Sequence, residues 1–281
     1  MRNRTQLRPT TMPCPRCRRL ISVQSQQCAY CGLQLPRLYN SIPLLNSLAR
    51  SEISFVNPII MLCFGLYVVS IALNFSSSTP FQNPFAALSP SMDSLIQLGM
   101  GGLIPWLAGH WWTLLTATYL HGDVLHILFN MLWLRDLGAQ VEREYGASRF
   151  LVIYTIAGLA GSGLSTLLGT GYSVGASGAI FGLFGALIFY GWHRGGTFGS
   201  AIFRRTLFWA GLLFLYGLAG SNVDNWGHLG GFIGGLIMAV ILRYEDRLRQ
   251  GLGHHLAALL TLAFIILCFS LMLVSFFTFA R

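Results

Sequence analysis

A chain of 281 residues that is 54% hydrophobic and only 10% charged is not a soluble domain, since such domains carry about 25% charged residues. Its net charge of +9 comes from arginine alone, with no lysine anywhere. A basic excess often points to nucleic acid, but here the arginines track membrane orientation, which argues against nucleic acid as a partner.

The first 50 residues are polar and basic, with no apolar run of the kind a cleavable signal needs. Within them, Cys14-Pro-Arg-Cys17 and Cys28-Ala-Tyr-Cys31-Gly32 form two CxxC pairs separated by ten residues. Four thiolates at this spacing suit tetrahedral zinc with Zn–S near ~2.3 Å, and Gly32 suits the turn that aims backbone amides at sulfur. Iron is the rival metal, and a disulfide is the weaker alternative if these residues face a reducing cytoplasm. So small a segment lacks a sufficient core without metal, and the pattern resembles a short zinc ribbon carrying structural Zn. Arg16, Arg18 and Arg19 around it suit contact with anionic lipid, nucleic acid or a cytoplasmic partner protein, and a small folded cap with no ligand of its own is the other reading. Residues 33–56 read as a tether, with Pro36 and Pro43 interrupting helix.

Apolar runs long enough to span hydrocarbon, about 17–25 residues each, fall near 57–75, 124–142, 148–168, 176–192, 206–221, 226–243 and 256–279. Eight arginines precede the first run (2, 4, 8, 16, 18, 19, 37 and 50). Arg143 and Arg149 follow the second, Arg194, Arg204 and Arg205 the fourth, and Arg247 and Arg249 the sixth. The loops 76–122, 169–175 and 222–225 hold none. By the positive-inside rule the N-terminus is cytoplasmic and the C-terminus outside, which suits a multi-pass protein of the cell (inner) membrane. Spans two, four and six then all start on the outer side.

That coincidence collects the polar residues. His126 and Asn130 sit near the start of span two, Ser177 at the start of span four and His228 at the start of span six. Polar side chains inside a bilayer are costly and usually face a cavity or a partner. His228, Gly231 and Gly235 share one helix face, and Gly178, Gly182 and Gly185 form a similar stripe below Ser177. Small residues let helices approach closely in lipid, so two facing stripes bring Ser177 and His228 within reach. A serine hydroxyl needs an adjacent base to become a nucleophile. Unpaired N–H groups at a helix start, with His126 and Asn130 beside them, stabilise an oxyanion. Asp224, four residues before His228, is expected to be a solvated loop residue. His121 reads as a structural partner at the cavity edge. Cys63 and Cys268 lie in spans as apolar packing. His110, His193, His254 and His255 lie outside the site.

The segments His121-Gly-Asp-Val-Leu-His126-Ile-Leu-Phe-Asn130, Gly175-Ala-Ser177-Gly178 and His228-Leu-Gly-Gly231-Phe-Ile-Gly-Gly235 resemble the signature motifs of rhomboid intramembrane serine proteases. The resemblance implies a Ser–His dyad, with Ser177 as nucleophile, His228 as general base, and His126 and Asn130 helping to bind the oxyanion. Glu142 and Gly146 match the family's acidic-to-glycine turn, and loop 76–122 resembles its membrane-embedded first loop. Trp112 is followed by Thr113 where the family commonly has arginine, which weakens loop anchoring rather than chemistry.

The expected architecture is an all-α membrane protein: a zinc-ribbon-like segment over 1–35, a linker over 36–56, and a six-helix rhomboid-like core over 57–245. One additional C-terminal transmembrane helix occupies 246–281. The expected activity is intramembrane endopeptidase cleavage of transmembrane protein substrates, with no cofactor for catalysis. The alternative is a non-proteolytic adaptor or chaperone on the same fold, with the ribbon recruiting clients.

Overall fold

The computed structural model describes residues 11–14, 17, 19–22, 25, 27–33, 54–74, 88–219, 223–242 and 252–279. The linker expected over 36–56 lies outside these residues except at its end, as do residues 75–87 of the first loop and Arg2, Arg4, Arg8, Arg16, Arg18, Arg37, Arg50, Arg247 and Arg249. Among the described residues the regular structure is helical apart from a two-stranded antiparallel hairpin, β1 (Thr11–Pro13) and β2 (Leu20–Ser22), in which Met12 pairs with Ile21.

The first long helix, α1 (Val56–Asn74), begins where the Phe55 N–H donates to Glu142 Oε1 at 2.7 Å. The first loop folds from Leu88 onward into three short helices, α2 (Met92–Gln97), α3 (Leu103–Leu107) and α4 (Thr113–Thr116). Next come α5 (Val124–Trp133), a π-helical turn over Leu134–Gly138 and α6 (Ala139–Tyr145). Gly146, at φ 89°, turns the chain into α7 (Ala147–Leu167). The bundle closes with α8 (Ser177–Arg194), α9 (Gly196–Ala219), α10 (Asn225–Leu242) and α11 (Leu252–Phe279).

The windows Val56–Leu73, Ala147–Leu167, Gly196–Ala219, Asn225–Leu242 and Leu252–Thr278 are long and apolar enough to cross a membrane. Helix α8 is enclosed by protein along most of its length, from Ala179 to Gly191; a helix lined by protein rather than lipid can carry small residues in place of a continuous apolar surface.

The seven apolar runs correspond to these elements within a few residues, with one correction. The fifth helix starts at Gly196, not near 206. Arg204 and Arg205 look like a loop in a hydropathy reading, but arginine is a good helix former and both project outward from α9. The turn before α9 is made by Gly195 and Gly196 at φ 61° and 63°.

Helix α10 is the hinge of the packing, lying densely against both α7 and α8. Its doubled glycines explain how. A Cβ on Gly231 would overlap the Gly178 carbonyl, and one on Gly235 would overlap Gly182. Gly230 and Gly234 meet Ala160 and neighbouring backbone on α7 instead. Two adjacent glycine stripes therefore let one helix approach two neighbours at backbone distance. The sequence reading found only the first stripe.

Helix α11 leans on α7, α4 and α2. Its Phe276 packs against the Leu95, Leu98, Met100 and Leu120 cluster of the first loop. The first loop in turn holds the segment leading to α8. Gly101 and Ser173 exchange backbone hydrogen bonds at 3.1 and 2.8 Å, Leu103 N donates to Thr170 O at 2.9 Å, and Gly175 N donates to Ala117 O at 2.9 Å.

Candidate active site

Ser177 opens α8 behind Ala176, whose side chain offers no cap, and the first helical bond runs from Ile180 N to Ala176 O at 2.9 Å. The N–H groups of the first turn are thus left without intrahelical acceptors, and the helix end carries partial positive charge toward the serine. Gly175, at φ 127°, sets the entry into this turn.

His228 lies one turn into α10 and is buried. Its Nε2 stands 2.9 Å from Ser177 Oγ. The ring stacks on Phe181, with centroids 4.3 Å apart and planes 16° from parallel. Its Nδ1 has no hydrogen-bond partner among the described residues, and there an aromatic face rather than an acid orients the imidazole. Phe181 was not anticipated, although it sits four residues after Ser177, the spacing that places it on the same helix face.

His126 enters from α5. A Cβ on Gly175 would lie 2.6 Å from His126 Nε2 and 3.7 Å from Ser177 Oγ, so the imidazole and the hydroxyl flank the same glycine. Asp123 caps α5 by accepting from His126 N at 2.8 Å. Asn130 is buried, and its Nδ2 donates to His126 O at 2.8 Å. His121 is fully buried and meets the His126 ring edge-on at 5.1 Å.

Asp224 corrects the sequence reading. It is half-buried rather than solvated. Its carboxylate accepts from Gly227 N at 2.8 Å, Ser165 Oγ at 2.5 Å and Ser173 Oγ at 2.6 Å. It caps α10, since asparagine and aspartate readily satisfy the orphan N–H groups of a first turn. Together with Ser162, Ser173, Ser177 and Gly227 it lines a small polar cavity behind the serine. The two partner serines were missed because their meeting depends on long-range packing. Among the remaining histidines, His255 Nδ1 bonds Ser148 Oγ at 2.9 Å and His193 Nδ1 bonds Phe189 O at 3.2 Å.

A second cluster lies in the hairpin region. Cys14, Cys17, Cys28 and Cys31 place their sulfurs within 4.8 Å of one another, with Cys14–Cys31 and Cys17–Cys28 at 3.6 Å. A tetrahedron with Zn–S near 2.3 Å has sulfurs ~3.8 Å apart, so the four residues fit a zinc ion. Gly32, at φ 70°, closes the second knuckle, where Tyr30 N donates to Cys28 Sγ at 3.4 Å. The backbone N–H of Leu33 favours the Cys31 thiolate, but partial burial and the sulfurs of Cys28, Cys14 and Cys17 outweigh it and push the thiol up to about 12.

The rhomboid domain model matches residues 108–245 of this chain. The chain is 43% identical over 134 residues to the rhomboid protease GluP of Bacillus subtilis (strain 168), which covers 48% of this chain and 26% of that protein. It is 39% identical over 173 residues to RHOMBOID-like protein 4 of Arabidopsis thaliana, covering 60% of this chain and 43% of the plant protein. With YdcA of Bacillus subtilis (strain 168) it shares 34% identity over 140 residues, 47% of this chain and 68% of that one. The chain thus spans under half the length of GluP and of the plant protein.

Proposed function

The chain belongs to the rhomboid family of multi-pass membrane proteins, and from that premise we propose that it is an intramembrane serine endopeptidase acting on transmembrane protein substrates. The observation that carries the reading is the 2.9 Å approach of His228 Nε2 to Ser177 Oγ at the start of two closely packed helices.

In this mechanism Ser177 Oγ attacks the scissile carbonyl while His228 Nε2 takes its proton. The proton then passes to the leaving amine, which departs with one product and leaves an acyl-serine. Water, deprotonated by the same imidazole, releases the second product and restores the hydroxyl. The oxyanion formed at each stage is held by N–H groups of the first turn of α8 and by His126, with Asn130 supporting it. Each such donor is worth roughly 2.7–4 kcal/mol in the transition state. Attack requires an extended scissile backbone, so residues that weaken a substrate's transmembrane helix should promote cleavage.

The core carrying this chemistry is assigned to residues 57–245, with 246–281 as an additional helix. The arginine distribution favours a cytoplasmic N-terminus and an inner-membrane setting. Residues 1–35 are assigned as a zinc ribbon held by Cys14, Cys17, Cys28 and Cys31, where zinc would supply folding energy rather than chemistry. The ribbon is the natural place for a cytoplasmic partner.

The deciding experiment is cleavage of a model transmembrane substrate by purified protein in detergent or liposomes. Wild type should cleave, and Ser177→Ala and His228→Ala should each abolish cleavage while retaining the wild-type thermal transition. Full activity in Ser177→Ala would sink the reading and leave the adaptor alternative.

A further inference from the structure

Asp224 sits beside the dyad without bonding the imidazole, since His228 Nδ1 has no partner among the described residues. Its carboxylate instead joins three elements. One oxygen accepts from Gly227 N at the start of α10, and the other accepts from Ser165 Oγ on α7 and Ser173 Oγ on the segment entering α8. The backbone carbonyl of the same residue accepts from His228 N at 3.0 Å. Ser165 is fully buried, and Ser173 is pinned from its far side by the paired backbone bonds to Gly101.

Nothing else among the described residues bonds the start of the histidine's helix to the segment preceding the serine. The helix contact between Gly231 and Gly178 sets how close α8 and α10 lie, but two smooth glycine faces do little to stop one helix sliding along the other. A charge-assisted bond from a fixed hydroxyl resists that sliding, being shorter and about twice as strong as a neutral one. A carboxylate suits the task because it accepts several donors at once and offers none.

We propose that Asp224 is a positioning residue, its carboxylate fixing the register of the His228 helix against the Ser177 segment through Ser173 and Ser165. It is not a third member of a catalytic triad. The inference rests on the dyad reading above.

The test uses the full-length protein and the rate at which a fluorophosphonate modifies Ser177, alongside kcat and KM for a transmembrane peptide. A misplacement of about 1 Å can cost 10²-fold in rate, so Asp224→Ala should slow phosphonylation by about 100-fold. Asp224→Asn keeps the cap and can pair with the hydroxyls only in neutral form, so it should slow the reaction by about tenfold. The loss should fall on kcat with KM unchanged. The double variant Ser165→Ala/Ser173→Ala, which keeps the cap, should match Asp224→Asn, and adding Asp224→Asn to it should cost no more. Variants that are folded, melt lower and yet react within twofold of wild type would overturn the proposal and leave Asp224 a helix cap. If Asp224→Ala does not fold, Asp224→Asn and the serine pair decide by the same criterion. Failure of wild type itself to be modified at Ser177 would overturn the dyad reading and this inference together.

Discussion

His126 and Asn130 share a face of α5, yet they do not meet the site alike. The His126 ring flanks Gly175 beside the serine hydroxyl, whereas the Asn130 amide is committed to the His126 carbonyl at 2.8 Å. Asn130 must rotate to reach an oxyanion, and otherwise acts by steadying the turn that carries His126. His126→Ala should therefore lower kcat by about 100-fold or more, the worth of an oxyanion donor. Asn130→Ala should cost about tenfold, the worth of one ordinary hydrogen bond. Steady-state kinetics on a transmembrane substrate would separate the two, and equal losses would show that both donate directly. At this scale the motif residues were readable because polar groups in lipid are so costly that each one demands a use. Ser165, Ser173 and Phe181 were not, since serine and phenylalanine are common in membrane helices and the turns between them, and only their neighbours make them distinctive.

Among elements, the hairpin and the glycine-faced helices carry different kinds of stability. The described residues between 11 and 33 have a core of little more than Cys14, Ile21 and Cys28, with Cys17, Cys31 and Leu33 against it. Replacing any one of the four cysteines by serine should lower zinc content from about one per chain and loosen this segment alone, because metal binding here is folding energy. Elemental analysis and hydrogen exchange would show it, while cleavage in detergent should be little changed. Absence of metal in protein expressed with ample zinc would defeat the ribbon. In the bundle, Gly231→Ala drives a methyl into the Gly178 backbone and should destabilise by about 1–3 kcal/mol or more. Gly211, on α9 with open space around it, should gain up to about 1 kcal/mol on replacement by alanine. Thermal midpoints of the two variants should move in opposite directions. The glycine spacing made the α8–α10 contact legible from sequence, because a period of three to four residues has one geometric meaning in a helix. The start of α9 was not legible, since hydropathy sees the charge of Arg204 and Arg205 but not that they project outward.

For the whole molecule the arginine distribution predicts the orientation. All eight arginines before residue 51 precede α1, and the first loop that stitches the serine's segment in place holds no arginine at all. A reporter fused at residue 2 should lie in the cytoplasm and one after Arg281 outside it. Both ends reporting the same side would contradict an odd number of crossings. The dyad argument would survive that result, because the contact between Ser177 and His228 is made between α8 and α10 and takes no residue from α11.

The approach of α10 to α8 has a consequence for how this protein can vary. Where two large side chains touch, enlarging one can be offset by shrinking the other. At Gly231 against Gly178 both surfaces are already bare main chain, so no compensating exchange at the facing position exists. A selection for second-site revertants of Gly231→Ala should return substitutions that retilt α10 or loosen α7, and none at Gly178.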